Sequence, residues 1–433
     1  MLTQKNDAQL ANVVIRAARV VDPVEGIDAR LDVRIDDGTI AAVAEHVDAN
    51  EHRIVEAEGL VLAPAFVDPH VHLRTPGRED EETVASGTAA AAAGGYCAIL
   101  AMPNTDPVVD SSAKLGALIE AATREAEIPV GFLAAITRGQ RGEELTEMAE
   151  LADSGAVAFS DDGVPVASAG LMRRALQYAS ITGRKLALHC EEPTLSHGGH
   201  VHEGRVAAEV GFAGYPSVAE SVAVERDLAL AAYEAQPIHV LHLSAAESVE
   251  ALRRAQAAGV GASGEATPHH LVLTDEAVRS LDSNVKMNPP LRSERDRQAL
   301  LEGLRDGTIE AIATDHAPHA IHEKEVPFEE APFGVTGLET AFAALYTHLV
   351  QPGLLSLELL LDRMSAGPAR IFGLERPRVA AGAAANLVLL DLDREWRVGE
   401  RAFRSRSGNS WLLGATVTGD VRLTLAGGAV VFE

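Results

Sequence analysis

A (β/α)8 (TIM) barrel, α/β in class, with a small β-sandwich domain built from both termini is the fold that this sequence predicts. Three observations predict it. Apolar strand-like runs alternate with helix-like segments through the middle of the chain. Both ends alternate short β-like runs with turns instead. Histidine and aspartate recur just after the middle runs.

At 433 residues the chain has room for one large barrel plus a smaller unit. Its net charge of −26 argues against nucleic acid or an anionic membrane as partner. A small anionic substrate needs only a local cationic pocket. The two cysteines, Cys97 and Cys190, lie inside apolar runs and read as buried thiols of a reducing compartment. No apolar run is long enough to span a bilayer, and the polar stretch Met1 to Gln9 lacks a signal-peptide core. These features predict a cytoplasmic protein.

The N-terminal part, residues 1–60, contains Val13-Val14-Ile15-Arg16, Leu31-Asp32-Val33-Arg34-Ile35 and Thr39-Ile40-Ala41-Ala42-Val43. Asp37-Gly38 between two of these runs is a hairpin signal. The C-terminal part, residues 376–433, looks alike, with Asn386–Asp391 and Val421–Leu425 strand-like and Gly427-Gly428 as a turn. The pattern predicts that the two ends meet in one small domain flanking a barrel over residues 61–375.

Within the barrel segment the strand-like runs are Val61–Val67, Tyr96–Met102, Val130–Ile136, Ala156–Phe159, Lys185–Leu188, Ile238–Leu241, Val260–Ala266 and Ile309–Thr314. Helix-like segments such as Ser112–Glu127, Ala169–Thr182 and Ser217–Ala235 separate them. Eight βα units in sequence are the barrel's signature, although an open doubly wound sheet would also alternate. The polar residues separate the two. His70 and His72 follow the first run, Asn104 the second, Asp161-Asp162 the fourth, His189 the fifth, His242 the sixth and Asp315-His316 the eighth. A barrel gathers all these ends at one rim, whereas an open sheet leaves its outer strands too far apart to share a metal.

His70 and His72 are two apart, so on a strand they project to the same side. Two neutral imidazoles at that spacing can hold one metal ion, with Zn²⁺ the usual occupant. Each residue alone has an ordinary reading. A histidine after an apolar run is often a satisfied core residue, Asp162 before Gly163 suits a turn, and Asp315 suits a helix N-cap. The joint pattern on strands one, four, five, six and eight points to a metal centre.

The motifs are Phe66-Val67-Asp68-Pro69-His70-Val71-His72-Leu73-Arg74, Met102-Pro103-Asn104-Thr105, Phe159-Ser160-Asp161-Asp162-Gly163, Leu188-His189-Cys190-Glu191-Glu192, Ala266-Thr267-Pro268-His269-His270-Leu271, Lys286-Met287-Asn288-Pro289-Pro290-Leu291-Arg292, Ala313-Thr314-Asp315-His316-Ala317-Pro318-His319 and Pro332-Phe333-Gly334-Val335-Thr336-Gly337-Leu338-Glu339. On them the whole chain resembles the amidohydrolase superfamily and, within it, the bacterial type I dihydroorotases. The resemblance implies a barrel of the metal-dependent hydrolase type holding one or two Zn²⁺ per subunit. His70, His72 and Asp315 would bind one metal, and His189 and His242 a second, with Asp162 shared. Of the two adjacent aspartates, the one that matches the family's ligand, counting back from His189, is Asp162, with Asp161 the fallback. Hydantoinases and allantoinases bridge two metals with a carboxylated lysine on strand four. No lysine lies between Lys114 and Lys185, so an aspartate must serve.

The implied reaction is reversible hydrolysis of (S)-dihydroorotate to N-carbamoyl-L-aspartate in de novo pyrimidine (UMP) biosynthesis. A metal would activate water, and Asp315 would act as general base and then acid. Arg74, Asn104 and His319 would meet the substrate carboxylate. Asn288 and the backbone of Phe333 and Gly334 would meet the ring amides. The segment from His316 to Thr336, with four Pro or Gly breakers, resembles a mobile loop over the barrel mouth.

His197, His200 and His202 have metal-like spacing but follow strand five by several residues, and they read as a rim loop. His269-His270 reads as support for the site from behind. Two further readings are another cyclic amidase, which the missing lysine opposes, and an inactive structural partner of aspartate carbamoyltransferase, which the complete ligand set opposes. A homodimer and association with aspartate carbamoyltransferase both remain open.

Overall fold

The computed structural model describes residues 2–433. The middle of the chain closes into a ring of parallel strands. Phe66–Val71, Tyr96–Ala101 and Val130–Phe132 pair in parallel on one side. Leu186–Leu188, Ile238–Val240, Ala262–Ala266 and Ala311–Ile312 pair in parallel on the other. The fourth position is reduced to a link at Phe159, which bridges Ala134 on one flank and Leu186 on the other. Phe159 N donates to Lys185 O at 3.0 Å, and Ala187 N donates back to Phe159 O at 2.8 Å. The remaining seam is closed by a parallel bridge between Val71 and His316, with His72 N donating to His316 O at 2.9 Å. Eight strand positions thus form a barrel, with their C-terminal ends at one rim.

Most ladders are shorter than the apolar runs that predict them. The run Ile309–Thr314 forms a strand only over Ala311–Ile312, and Val130–Ile136 only over Val130–Phe132, with a single further bridge from Ala134 to Phe159. Just beyond those points single amides still donate to neighbouring main chain, as Leu133 N does to Ala101 O and Ala313 N to Ala266 O, and the last ones find side chains instead. Thr314 N, for example, donates to the buried Asp68 carboxylate at 3.2 Å.

One apolar run, Val61–Val67, is two strands rather than one. Val61–Pro64 lies in the small sheet, parallel to Arg19–Val20 and antiparallel to Leu387–Leu390. Phe66–Val71 is the first barrel strand. The partner changes between consecutive residues: Ala65 N donates to Asn386 O at 3.0 Å and Phe66 N to Gly95 O at 2.9 Å. Pro64, which has no N–H to offer, sits at the changeover.

Both termini contribute to the small β-sandwich sheet. Its strand order is Ala429–Phe432, Thr416–Ala426, Leu387–Arg397, Val61–Pro64, Val13–Asp22, Ile27–Asp36 and Thr39–Ala44, with Arg53–Glu56 pairing beside Val13–Asp22. Ile15, Val20, Ile35, Ile40, Leu62, Leu389 and Leu425 form its core. The first residues go elsewhere, since Thr3 bridges antiparallel to Val130 in the barrel.

Helices Ser112–Glu125, Ala169–Thr182 and Val218–Glu234 fall where the sequence predicts helix. Ala169–Thr182 has both terminal signals: the Ser168 side chain accepts from Leu171 N, and Gly183 ends it at φ 66°. Both cysteines are buried and free. No helix among the described residues is long and apolar enough to cross a membrane.

Phe66 ties the first barrel strand to its surroundings. Its ring meets Tyr96 edge-on at 5.5 Å and stacks on Phe342 at 5.6 Å. Phe66→Ala is expected to lower unfolding free energy by about 3–5 kcal/mol in a denaturant titration. A loss under about 1 kcal/mol would contradict this packing role.

Candidate active site

Asp162 is the centre of the rim. Its Oδ2 lies 3.6 Å from His70 Nε2 and 3.5 Å from His72 Nε2. Its Oδ1 lies 3.6 Å from His189 Nδ1 and 3.5 Å from His242 Nε2. One carboxylate thus offers one oxygen to each pair of histidines. Asp315 Oδ1 faces the first pair, 3.0 Å from His72 Nε2 and 3.4 Å from His70 Nε2. All six residues are buried.

Hydrogen bonds behind three of the histidines decide which ring nitrogen faces inward. His70 Nδ1 donates to Glu265 Oε1 at 2.8 Å, and His72 Nδ1 donates to Asn104 Oδ1 at 2.8 Å. Their Nε2 lone pairs are therefore left toward the aspartates. His189 is reversed: Nε2 donates to Glu191 Oε2 at 2.8 Å, leaving Nδ1 inward. Glu265 also lies 3.0 Å from His239 Nε2 and accepts from His242 N at 3.3 Å. Burial would raise its pKa, but His239 and His70 hold it down at about 2.

The donor set fits a divalent cation. Ligands held tetrahedrally at Zn²⁺ distances stand roughly 3.4 Å from one another, and the inward nitrogens of His70 and His72 each lie 3.0–3.6 Å from the facing oxygens of Asp162 and Asp315. His70 Nε2 and Asp162 Oδ1 are buried without a hydrogen-bond partner. Two triads, His70-His72-Asp162 and Asp162-His189-His242, have mutually close ligand atoms. Electrostatics agree. Burial disfavours charge on His70, but Asp315 and Asp162 outweigh it and raise its pKa well above the ordinary value. His189, likewise opposed by burial, is pushed up to about 10 by Asp162 and Glu191. The carboxylates call for positive charge at this centre, and a divalent cation supplies it to neutral imidazoles.

Asp161 and Asp162 part company. Asp161 Oδ1 accepts from Ile136 N at 2.8 Å and Thr137 N at 3.1 Å, so it fastens the neighbouring rim loop. Only Asp162 reaches the histidines. Arg74, His242 and Asp315 adopt left-handed backbone, at φ 57°, 30° and 48°. Such conformations cost on the order of 1–3 kcal/mol each and concentrate where function requires a particular orientation.

A cavity of about 360 Å³ opens onto this centre. Arg74, Asn104, Asn288, His319, Phe333 and Gly334 line it with His72, Asp162, His189, His242 and Asp315. His70 lies behind, fully buried. The structure thus brings the predicted residues to one place. Asn104 is already engaged, its Oδ1 holding His72 and its Nδ2 3.4 Å from Asp162 Oδ2. Asn288 Nδ2 donates to Glu191 at 3.2 Å, while its Oδ1 is buried without a partner. Gly334 sits at φ 123°, and a Cβ there would fall 2.7 Å from Ala317 Cβ, so only glycine lets the loop approach His319 this closely.

Three acidic residues escaped the sequence reading. Glu265 interrupts an apolar strand run, a signal that could have marked it. Glu191 stands two residues after His189. Glu81 lies in the charged run Arg78-Glu79-Asp80-Glu81-Glu82, which reads as solvent-exposed loop, yet it is fully buried. It joins Arg74 Nε at 3.2 Å, Arg78 Nη2 at 2.7 Å and His319 Nδ1 at 3.0 Å. With two arginines on it, the Glu81-His319-Glu323 group is an ion-pair cluster. His197, His200 and His202 join no group of metal-ligand geometry among the described residues. His202 Nδ1 instead lies 3.3 Å from Arg292 Nη1. His270 is fixed by Thr267 at 2.8 Å and by donating to Pro289 O at 2.9 Å.

Glu265→Ala should weaken divalent-metal binding roughly 10- to 100-fold, because it releases His70 and the His242 backbone, both held by Oε1, together. Competition against a chromophoric chelator measures this. Unchanged affinity would mean that Glu265 does not orient the site.

Comparison with known proteins shows the family. The Dihydro-orotase-like family model matches residues 59–248. The chain is 46% identical to the dihydroorotase of Geobacillus kaustophilus over 406 residues, covering 93% of this chain and 95% of that one. It is 45% identical to the dihydroorotase of Pelotomaculum thermopropionicum over 421 residues, covering 97% and 98%. Among solved structures, the L-hydantoinase (dihydropyrimidinase) from Arthrobacter aurescens superposes with a TM-score of 0.88 at 28% identity, covering 98% of this chain and 96% of that one. The dihydropyrimidinase from Brevibacillus agri gives 0.84 at 24% identity, covering 98% and 95%, and shares the fold. With near-complete coverage by its relatives and a histidine–aspartate centre at the barrel rim, the chain belongs to the dihydroorotase family of the amidohydrolase superfamily.

Proposed function

We propose that this protein is a dihydroorotase of the type I kind, interconverting (S)-dihydroorotate and N-carbamoyl-L-aspartate in pyrimidine biosynthesis with zinc at its rim. The observation that carries this reading is Asp162. Its two oxygens serve the two histidine pairs, where hydantoinases use a carboxylated lysine, and no lysine is present in that stretch of the chain.

His70, His72 and Asp315 would hold one ion, and His189 and His242 another, with Asp162 between. The ion's chemistry is to lower the pKa of water toward 7 and to polarise a carbonyl. Every other requirement falls to the chain. Asp315 faces the cavity with its carboxylate held well below the usual range, since His70 and His72 outweigh the effect of burial. It is therefore ionised and able to accept a proton from the attacking water. As the new C–O bond forms and the ring C–N bond breaks, Asp315 returns that proton to the departing nitrogen. Arg74 is held by Nε, which donates to Pro318 O at 3.1 Å and pairs with Glu81. Its terminal nitrogens make no hydrogen bond among the described residues and are free for a substrate carboxylate. Asn288 Oδ1 and the Phe333–Gly334 backbone would receive the ring amides.

The test is dihydroorotate hydrolysis by the purified, zinc-loaded chain beside Asp315→Ala. The native chain is expected to turn over and the variant to lose at least about 100-fold in kcat, the scale of a lost general base. A native chain inactive on dihydroorotate but active on a hydantoin would overturn the assignment.

Arg74→Met should raise KM for dihydroorotate roughly 10- to 150-fold, the loss of a hydrogen bond between charged groups. Glu81→Gln should raise KM in the same direction by a smaller factor, since it loosens Arg74 and His319 without removing either. Steady-state kinetics decide, and an unchanged KM in Arg74→Met would remove it from carboxylate recognition.

A further inference from the structure

Two buried lysines reach into the segment that carries Phe333 and Gly334. Lys286 is 2% exposed and Lys324 6%. Lys286 Nζ donates to Phe328 O and Glu329 O, both at 2.8 Å. Lys324 Nζ donates to Pro332 O at 2.8 Å. Neither ammonium pairs with a carboxylate among the described residues. Burial pushes Lys286 down to about 8 and Lys324 down to about 7. A buried ammonium without a counter-ion is costly, so both would be poor choices for mere packing. Their partners are main-chain carbonyls in one short stretch that leads into the cavity wall, Pro332 being part of that wall.

Further contacts converge on that stretch. Lys286 Nζ lies 4.8 Å from the centre of the Phe333 ring and 5.5 Å from that of Phe328. The Lys286 carbonyl accepts from Gly334 N at 2.9 Å. Ser283 Oγ donates to Lys324 O at 2.6 Å, tying the short helix Ile321–Lys324 to the segment that contains Lys286. Lys286 is two residues before Asn288, which lines the same cavity as Phe333 and Gly334. One stretch of chain therefore both contributes to the cavity and anchors its opposite wall.

We infer that Lys286 and Lys324 are positioning residues that clamp the Phe328, Glu329 and Pro332 carbonyls and so hold the Phe333–Gly334 backbone where the substrate's ring amides bind. The inference rests on the dihydroorotase reading for its kinetic consequence, but not for the clamp itself. The amide contacts exist in bound substrate and transition state alike. Their loss therefore raises KM more than it lowers kcat. A purely structural lysine would act otherwise: its removal would reduce the fraction of folded enzyme, lowering apparent kcat at constant KM.

The test uses full-length, zinc-loaded Lys286→Met and Lys324→Met, with two readouts. Hydrogen exchange across residues 326–336 is expected to speed about tenfold in each variant, and KM for dihydroorotate to rise about tenfold, the scale of one lost charge-assisted hydrogen bond. Two variants are used so that a folding failure in one leaves the other decisive. Unchanged exchange in a natively folded variant, or a fall in kcat at constant KM, would overturn the clamp. If the native chain does not hydrolyse dihydroorotate, the functional reading fails separately and hydrogen exchange alone decides the clamp.

Discussion

The site depends on one buried carboxylate serving two pairs of imidazoles. Asp162 lies between strands that are distant in sequence, 3.5–3.6 Å from each of four histidine nitrogens. Buried charge of this kind is unfavourable unless opposite charge stands beside it. The arrangement therefore calls for positive charge beside Asp162, which a divalent cation on neutral imidazoles would supply, and it requires a closed barrel, because only closure brings the first, fifth and sixth strand ends to the fourth. The single-residue link at Phe159 is enough to complete the ring there, and Asp162 follows it by three residues.

Orientation is maintained from behind by carboxylates and amides rather than by the ligands themselves. Glu265 fixes His70 and the His242 backbone, Asn104 fixes His72, and Glu191 fixes His189. Glu81 does the same for Arg74 and His319 on the side where a substrate carboxylate would enter. The left-handed backbone at Arg74, His242 and Asp315 is the conformational cost of aiming these side chains. Lys286 and Lys324 extend the same principle to the main chain of the loop.

Much of this was legible in the sequence because barrel chemistry sits at strand ends, so His70, His72, Asp162, His189, His242 and Asp315 all follow apolar runs. The choice between Asp161 and Asp162 needed either a family spacing or the structure, since adjacent residues in a turn share every local signal. Glu81 was illegible because its charged neighbours resemble a solvated loop, and its burial depends on Arg74, Arg78 and His319 arriving from elsewhere. The split of Val61–Val67 between two sheets was hidden for a related reason. Both halves are apolar, and only the hydrogen-bond partners, Asn386 and Gly95, distinguish them. Ladder lengths were overestimated because an apolar run does not show where pairing stops, as at Thr314, whose amide leaves the ladder for the Asp68 carboxylate.

The most direct test of the central claim is anomalous diffraction at the zinc edge from crystals of the zinc-loaded protein. A peak bonded to Asp162, His70 and His72 is expected, with any second peak on the Asp162 side of His189 and His242. Zinc bound instead among His197, His200 and His202, with Asp162 free of metal, would contradict it.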